Sequence, residues 1–175
     1  MHFFKSRILT MGAIVIFAML FPSTFMSQTR THTVKNGNYV LVFPSAQWRT
    51  VSVPGITDDS TEFRYGNDGA VHLRIRRELV DADLTVTDLI QRQQTLDRSS
   101  LPGYVKEKVE PVDGRVSGAR YAYEYIKDGK QTARVIYYLE ANNRVVYRVE
   151  FAGSPDVLRT LSAETDFIAR SLRLK

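Results

Sequence analysis

The chain has three histidines and no cysteine, so imidazole and carboxylate are the groups to weigh first for chemistry. Without Cys there is no thiolate nucleophile, thiolate metal site, disulfide or lipid-modified N-terminal Cys. His2 and His32 fall in segments that read as leader and linker, which leaves His72 to act within a folded domain. Acid–base work needs an imidazole within hydrogen-bond reach of a positioned nucleophile or an orienting carboxylate. The sequence offers His72 no such partner. It alternates with Arg74 and Arg76 along a strand and reads as an exposed or hydrogen-bonded strand residue.

The densest carboxylates are Asp81, Asp83 and Asp88. They have the hard oxygens that Ca²⁺ or Mg²⁺ takes, but acidic residues at the start of a helix are already explained by the helix dipole. Asp58 and Asp59 read as an exposed loop. The serine-hydrolase elbow, the phosphate-binding loop, the dinucleotide fingerprint and the H-E-x-x-H zinc motif are missing from the sequence. The expectation is a protein that is not an enzyme, with no cofactor and no metal.

The most informative stretch runs from Ala119 to Ala152. Asp128-Gly129 is a strong two-residue hairpin signal and Asn142-Asn143 a weaker one. With two-residue loops at both, Tyr125 faces Thr132, Tyr123 faces Arg134 and Tyr121 faces Ile136. In the next hairpin Glu140 faces Val145, Tyr138 faces Tyr147 and Ile136 faces Val149. A slip of one residue would reverse these faces.

On this register one face carries Tyr121, Tyr123, Tyr125, Ile136, Tyr138 and Tyr147, continuing through Val145, Val149 and Phe151. Thr132, Arg134 and Glu140 lie toward its turn ends. It is the expected core face, although amphipathic tyrosines are also suited to line a ligand groove. The opposite face mixes Arg120, Glu124, Tyr137, Arg148 and Glu150 with apolar residues. These five are the candidate partner surface; a purely structural cross-strand charge network is the competing account.

The elements around this meander follow from local signals. Tyr39–Phe43 and Trp48–Val53 read as strands ended by Pro44 and Pro54-Gly55. Glu62–Tyr65 and Ala70–Leu79 flank the turn Gly66-Asn67-Asp68-Gly69. A helix opens at Thr85, with Asp88 three residues on as in a capping box, and carries Val86, Leu89, Ile90 and Leu96. The last helix has Ser154 as N-cap and Pro155 in its first position. Leu158, Leu161, Thr165, Ile168 and Leu172 form its apolar stripe, which is expected to pack on the tyrosine-rich face.

Residues 1–27 are a targeting segment. Lys5 and Arg7 precede Ile8–Phe21, 14 residues without a charge, and Pro22 then ends the run. That length suits a signal peptide better than a spanning helix. Ser23 and Ser27 have Phe21 and Phe25 at the −3 position instead of a small residue, so a retained N-terminal anchor is the alternative to cleavage. Residues 28–38 read as a linker and 39–175 as one α+β domain. The expected location is extracytoplasmic, periplasmic or secreted, with membrane contact only through residues 1–27 if they are retained. The net charge of +5 falls to +3 without Lys5 and Arg7, and the remaining charges are mixed in sign. A nucleic-acid partner is therefore not expected.

The strand ending in Phe43-Pro44, the following Trp48, the helix, the tyrosine-rich meander and the terminal Phe167-Ile168-Ala169-Arg170-Ser171-Leu172 together resemble the PsbP-like superfamily. That superfamily includes the extrinsic photosystem II subunit, the Ran-binding Mog proteins and exported bacterial relatives. The resemblance spans Tyr39 to Lys175 and implies an antiparallel β-sheet packed with helices, a PsbP-like α/β/α sandwich. It implies binding or assembly without catalysis. Its matched positions are not a site motif, so no functional residue carries over. An exported binding or assembly protein, with an envelope protein as partner, is the expected function; a carrier of a small amphipathic ligand is the alternative.

Overall fold

The computed structural model describes residues 29–33, 39–51, 60–142 and 144–175. The targeting segment, with Lys5, Arg7 and Ile8–Phe21, and the pair Asp58-Asp59 lie outside the described residues. Among the described residues no helix is long and apolar enough to cross a membrane.

The elements run β1 (Arg30–Thr33), β2 (Tyr39–Phe43), β3 (Trp48–Val51), β4 (Ser60–Tyr65), β5 (Val71–Leu79), α1 (Val86–Ser100), β6 (Val105–Val112) and β7 (Gly118–Lys127). They continue as β8 (Lys130–Asn142), β9 (Val145–Gly153), α2 (Pro155–Thr160), α3 (Ser162–Arg170) and β10 (Arg173–Leu174). A seven-stranded antiparallel sheet has the order β3-β4-β5-β9-β8-β7-β6, and a three-stranded sheet has β1-β2-β10. The fold is α+β, with helices on both faces of the large sheet.

β1 departs from the expected linker at 28–38, because Arg30–Thr33 pairs with Val40–Phe43. β2 is nearly all buried and sits between β1 and β10, so its backbone groups need partners on both sides. β1 supplies backbone hydrogen bonds without an apolar pattern, and such a strand leaves little periodicity in the sequence.

The first hairpin of the meander has the expected register. Asp128 and Gly129 both take positive φ, 50° and 74°, and Tyr125, Tyr123 and Tyr121 face Thr132, Arg134 and Ile136. The second differs. β8 runs through Asn142, which pairs with Val145, and Ala141 is bulged out of the ladder. Tyr138 then faces Arg148 and Ile136 faces Glu150, instead of Tyr147 and Val149. The side-chain period of a strand is two, so this one-residue shift turns every β9 side chain to the opposite face.

The two faces are reorganised accordingly. Tyr121, Tyr123, Tyr125, Ile136, Tyr138 and Val146 form one core with Val86 and Ile90 of α1. Tyr137, Leu139, Tyr147, Val149 and Phe151 form the other, with Leu158, Leu161, Ile168 and Leu172 from the C-terminal region. The C-terminal stripe is buried as expected, but it packs on the face opposite the Tyr121–Tyr125 row. That row is roofed by α1.

Both helical starts behave as their sequences suggest. Asp88 N–H donates to Thr85 Oγ1 at 3.2 Å and Thr85 N–H donates to Asp88 Oδ2 at 3.0 Å, completing the capping box. Ser154 Oγ accepts from Val157 N–H, and Pro155 occupies the first turn. The last helix is broken at Leu161 into α2 and α3. In α1, Leu96 is exposed and Asp97 is buried in its stead, so the helix turns a partly polar stripe to the sheet.

Candidate functional site

α1 is narrower than the sheet it covers. It packs over β7, β8 and the Val146–Arg148 part of β9 and leaves the side of that face formed by β4, β5 and the Glu150–Gly153 end of β9 without a helix. Across the open side the ladders align Glu62, Arg74 and Glu150 in one row, and Arg64, His72 and Ala152 in the next. His72, Arg74 and Arg64 are exposed there, whereas Leu73 and Ile75 between them point into the opposite core.

The side chains of the open half are held by ion pairs. Arg74 donates to Glu62 through Nε and contacts it through Nη2. Glu150 is shared: Oε2 lies 2.9 Å from Arg148 Nη2 and Oε1 lies 3.3 Å from Arg134 Nε. Arg134 also donates to Tyr123 Oη at 3.2 Å and stacks over the Tyr125 ring, 5.2 Å from its centroid. The Nε atoms of Arg134 and Arg148 are buried and make no hydrogen bond among the described residues, so Glu150 is the main compensation for two desolvated cations. Glu150→Gln should cost about 2 kcal/mol in the free energy of unfolding measured in urea, because it leaves both guanidinium groups facing each other.

From this cluster a polar chain continues under α1. Arg148 Nη1 donates to Gln93 Oε1 at 3.4 Å, and Gln93 Nε2 donates to Asp97 Oδ1 at 2.9 Å. Tyr121 Oη donates to Asp97 Oδ2 at 3.4 Å and shares a 2.7 Å hydrogen bond with Tyr104 Oη. Gln93 and Asp97 are residues that sequence reasoning missed. Their signal was present: they extend the Val86/Ile90 spacing down the inner face of α1.

Burial pushes the hydroxyls of Tyr121 and Tyr123 well above the ordinary tyrosine value, with the Asp97 charge adding to the effect. Tyr138 is pushed up to about 12, again chiefly by burial and against the opposing pull of Arg148. A raised folded-state value means that stability is fully present below the unfolded tyrosine value of about 10 and is lost as pH rises through the folded values. Alkaline titration should therefore show delayed tyrosine ionisation at 295 nm (~295 nm, the tyrosinate band), coincident with loss of far-ultraviolet circular dichroism.

Beside the ion pairs is a groove of about 350 Å³, lined by Glu62, His72, Arg74, Lys127, Arg134 and Glu150, with the Tyr125 ring and the Thr132 hydroxyl at its end. His72 is held below its ordinary value, first by burial and then by Arg64, Arg74 and Lys127 against the opposing charge of Glu62. It is neutral at neutral pH. Glu62 is engaged by Arg74, and His72 makes no hydrogen bond to a carboxylate or hydroxyl among the described residues.

The candidate partner surface read from the sequence is divided between the two faces by the register shift. Arg148 and Glu150 lie on the α1 face, in the cluster just described. Arg120, Glu124 and Tyr137 lie on the other. Tyr137 is buried against Phe151 with perpendicular rings. Arg120 pairs with Glu110 at 3.4 Å, and Glu124 accepts from Gln131 Nε2 at 2.6 Å. Arg120 and Glu124 border a small cleft of about 120 Å³ against α2. Tyr121 and Tyr123 are covered by α1, whereas the Tyr125 ring also lines the groove. Asp88 is committed to the capping box, and among the described residues no three His, Asp or Glu side chains are grouped to hold a metal ion.

The residues that carried the sequence resemblance meet at one structural joint. Ser171 Oγ accepts from Val42 N–H at 2.9 Å, Trp48 Nε1 donates to Glu164 Oε2 at 3.0 Å, and Phe43 packs on Trp48. They fasten α3 to the N-terminal strands and stand on the face away from the groove.

No family model and no curated protein matches the chain. Solved structures do. The cyanobacterial PsbP (CyanoP) from Synechocystis sp. PCC 6803 is similar with a TM-score of 0.57 and 15% identity, covering 91% of this chain and 99% of that one. The Saccharomyces cerevisiae Ran-binding protein Mog1p gives a TM-score of 0.60 at 6% identity, over 85% of this chain and 96% of its own. LpqN of Mycobacterium tuberculosis, described as involved in cell envelope biogenesis, gives 0.56 at 15% identity, over 85% and 92%. The chain has the PsbP/Mog1-like fold.

Proposed function

We propose that this chain is a non-catalytic binding or assembly module of the cell envelope, working outside the cytoplasm through the open half of its α1 face. The observation that carries the reading is the partial roof. One half of the sheet face is sealed by α1, and the other displays Arg and Glu side chains held in fixed positions by ion pairs. Pre-positioned charges on a rigid sheet favour recognition, because little side-chain entropy is lost when a partner docks. His72 without an orienting partner supports binding over catalysis.

The compartment rests on Lys5, Arg7 and the Ile8–Phe21 run. Similarity in fold to CyanoP and to LpqN, whose description concerns envelope biogenesis, is consistent with it. The partner on this reading is an envelope protein and not a nucleic acid, and the membrane is touched only through residues 1–27 if they are retained. Comparing the mass of the purified protein with that of the full chain decides between cleavage and anchoring.

The test is cross-linked capture from envelope fractions with the full-length chain and with an Arg64→Glu/Lys127→Glu variant. A partner held by the parent and released by the variant is the expected result. Capture unchanged by charge reversal, or turnover of a small substrate dependent on His72, would sink the reading.

A further inference from the structure

We infer that the groove between β4, β5 and the β7–β8 turn is a binding site for an oxyanion, the carboxylate or phosphate group of a small ligand. The inference rests on the open half-face being the binding surface and names the chemistry that surface takes.

Charge balance is the first ground. Two of the cations in the groove are already paired, Arg74 with Glu62 and Arg134 with a Glu150 that it shares with Arg148. Lys127 and Arg64 are different: among the described residues neither forms an ion pair, yet both act on the same imidazole, His72. Lys127 lines the groove and Arg64 stands across the β4–β5 ladder from His72 at its border, so the excess charge on this spot is positive. A cleft lined by one excess sign concentrates its field and draws in ligands of the other sign.

Shape is the second. At about 350 Å³ the groove is at the lower end of the range for small-molecule sites, and it is far too small for a folded partner to enter. Its floor is flat where Arg134 lies over Tyr125, and Ala152 and Gly153 keep the wall low beside it. The Lys127 ammonium and the Thr132 hydroxyl, both lining the groove, can each donate to an oxygen of a carboxylate or phosphate. A halide would use one donor at a time.

His72 adds a consequence. The groups facing it are Glu62 and Arg64 from β4, Arg74 from β5 and Lys127 from β7, with Arg134 and Glu150 lining the same groove from β8 and β9. Burial first, and then the neighbouring cations, hold the imidazole below its ordinary value. A bound oxyanion reverses the sign of the nearest charge and favours the imidazolium, so binding is accompanied by proton uptake. Affinity then rises as pH falls.

The test is calorimetric titration of the full-length chain with citrate and, separately, with inorganic phosphate at low salt, at about pH 5 and about pH 8, on either side of the ordinary imidazole value. Binding by at least one probe is expected, tighter at the lower pH and weakened by added salt. Which probe binds identifies the ligand as a carboxylate or a phosphate. Lys127→Gln and Arg64→Gln should each reduce affinity about threefold to fivefold, the effect of one partly screened charge. His72→Gln should weaken binding at the lower pH and leave only the pH dependence of the probe's own ionisation, and Arg159→Gln on α2 should change nothing. Failure of both probes, or affinity indifferent to Lys127 and Arg64, overturns the oxyanion site. If the probes fail while the envelope partner is still captured and still released by the charge-reversed variant, the site is wrong and the binding surface stands. If the probes bind as described and no partner is captured, the partner reading fails and the site stands.

Discussion

Replacing Phe151 with Ala should destabilise the protein by about 4 kcal/mol, the cost of removing a fully buried aromatic ring and leaving a cavity that its neighbours only partly fill. The ring is completely inaccessible on the helix-covered side of β9. Its centroid lies 5.9 Å from Trp48 and 6.0 Å from Tyr137, both in edge-on geometry. The strand neighbours Leu73 and Val135 face it across the ladders on either side. Trp48 is the only tryptophan of the chain, so its fluorescence reports directly on this contact. Phe151→Ala should lower the urea midpoint and shift the native emission of Trp48, while the Glu150 cluster on the other face keeps its ion pairs. Phe151→Leu, which conserves most of the volume, should recover more than half of the loss. A cost below about 1.5 kcal/mol for Phe151→Ala would contradict a side chain packed at interior density.

The second large effect is expected at Gly118, where the constraint comes from backbone. Gly118 opens β7 opposite Leu139 of β8 and Val112 of β6. A Cβ there would lie 1.8 Å from the Tyr138 carbonyl oxygen and 3.0 Å from Leu139 Cα, so main chain would have to move. Gly118→Ala should cost about 3 kcal/mol, at the upper end of what forcing extra volume into a packed structure produces. The comparison is Gly129→Ala in the Asp128-Gly129 turn. Gly129 has a φ of 74° but nothing within 4 Å of a Cβ, so only the left-handed conformation is penalised, by about 1 kcal/mol. Equal losses for the two variants, measured by denaturant unfolding, would refute the close approach at Gly118. Local fraying at Gly118 would appear as faster amide exchange at Glu140, whose N–H donates to Ser117 O.

These predictions depend on which way β9 faces, and this was the point at which local signals ceased to suffice. The Asp128-Gly129 turn reads correctly because a type I′ turn needs two positive φ values and that dipeptide supplies them at little cost. The Asn142-Asn143 signal is weaker, and the bulge at Ala141 has no residue-type signature of its own. Ala133 to Leu139 carry apolar residues at both parities, so the pattern of β8 does not say which of its faces the Val145, Tyr147, Val149 and Phe151 row joins. The bulge puts Tyr147, Val149 and Phe151 under the C-terminal helices and brings Arg148 and Glu150 out on the α1 side.

The helix caps at Thr85 and Ser154, the first meander hairpin and the buried stripe of the last helix were determined by the sequence itself. Each depends on residues close together in the chain, where geometry follows from neighbours. The α+β sandwich was legible through the order of elements and the Phe43, Trp48 and Phe167–Leu172 positions, which now prove to be the joint that fastens α3 to the first strands. The groove was decided only by tertiary structure. Glu62, His72, Arg74, Lys127, Arg134 and Glu150 come from five strands, and in the sequence their charges are diluted by oppositely charged and inward-facing residues. His72 has no hydrogen bond to a carboxylate or hydroxyl among the described residues, and it lines the groove. Period-two alternation, strand order and a single bulge collect the cations around it, and those are properties of the assembled sheet.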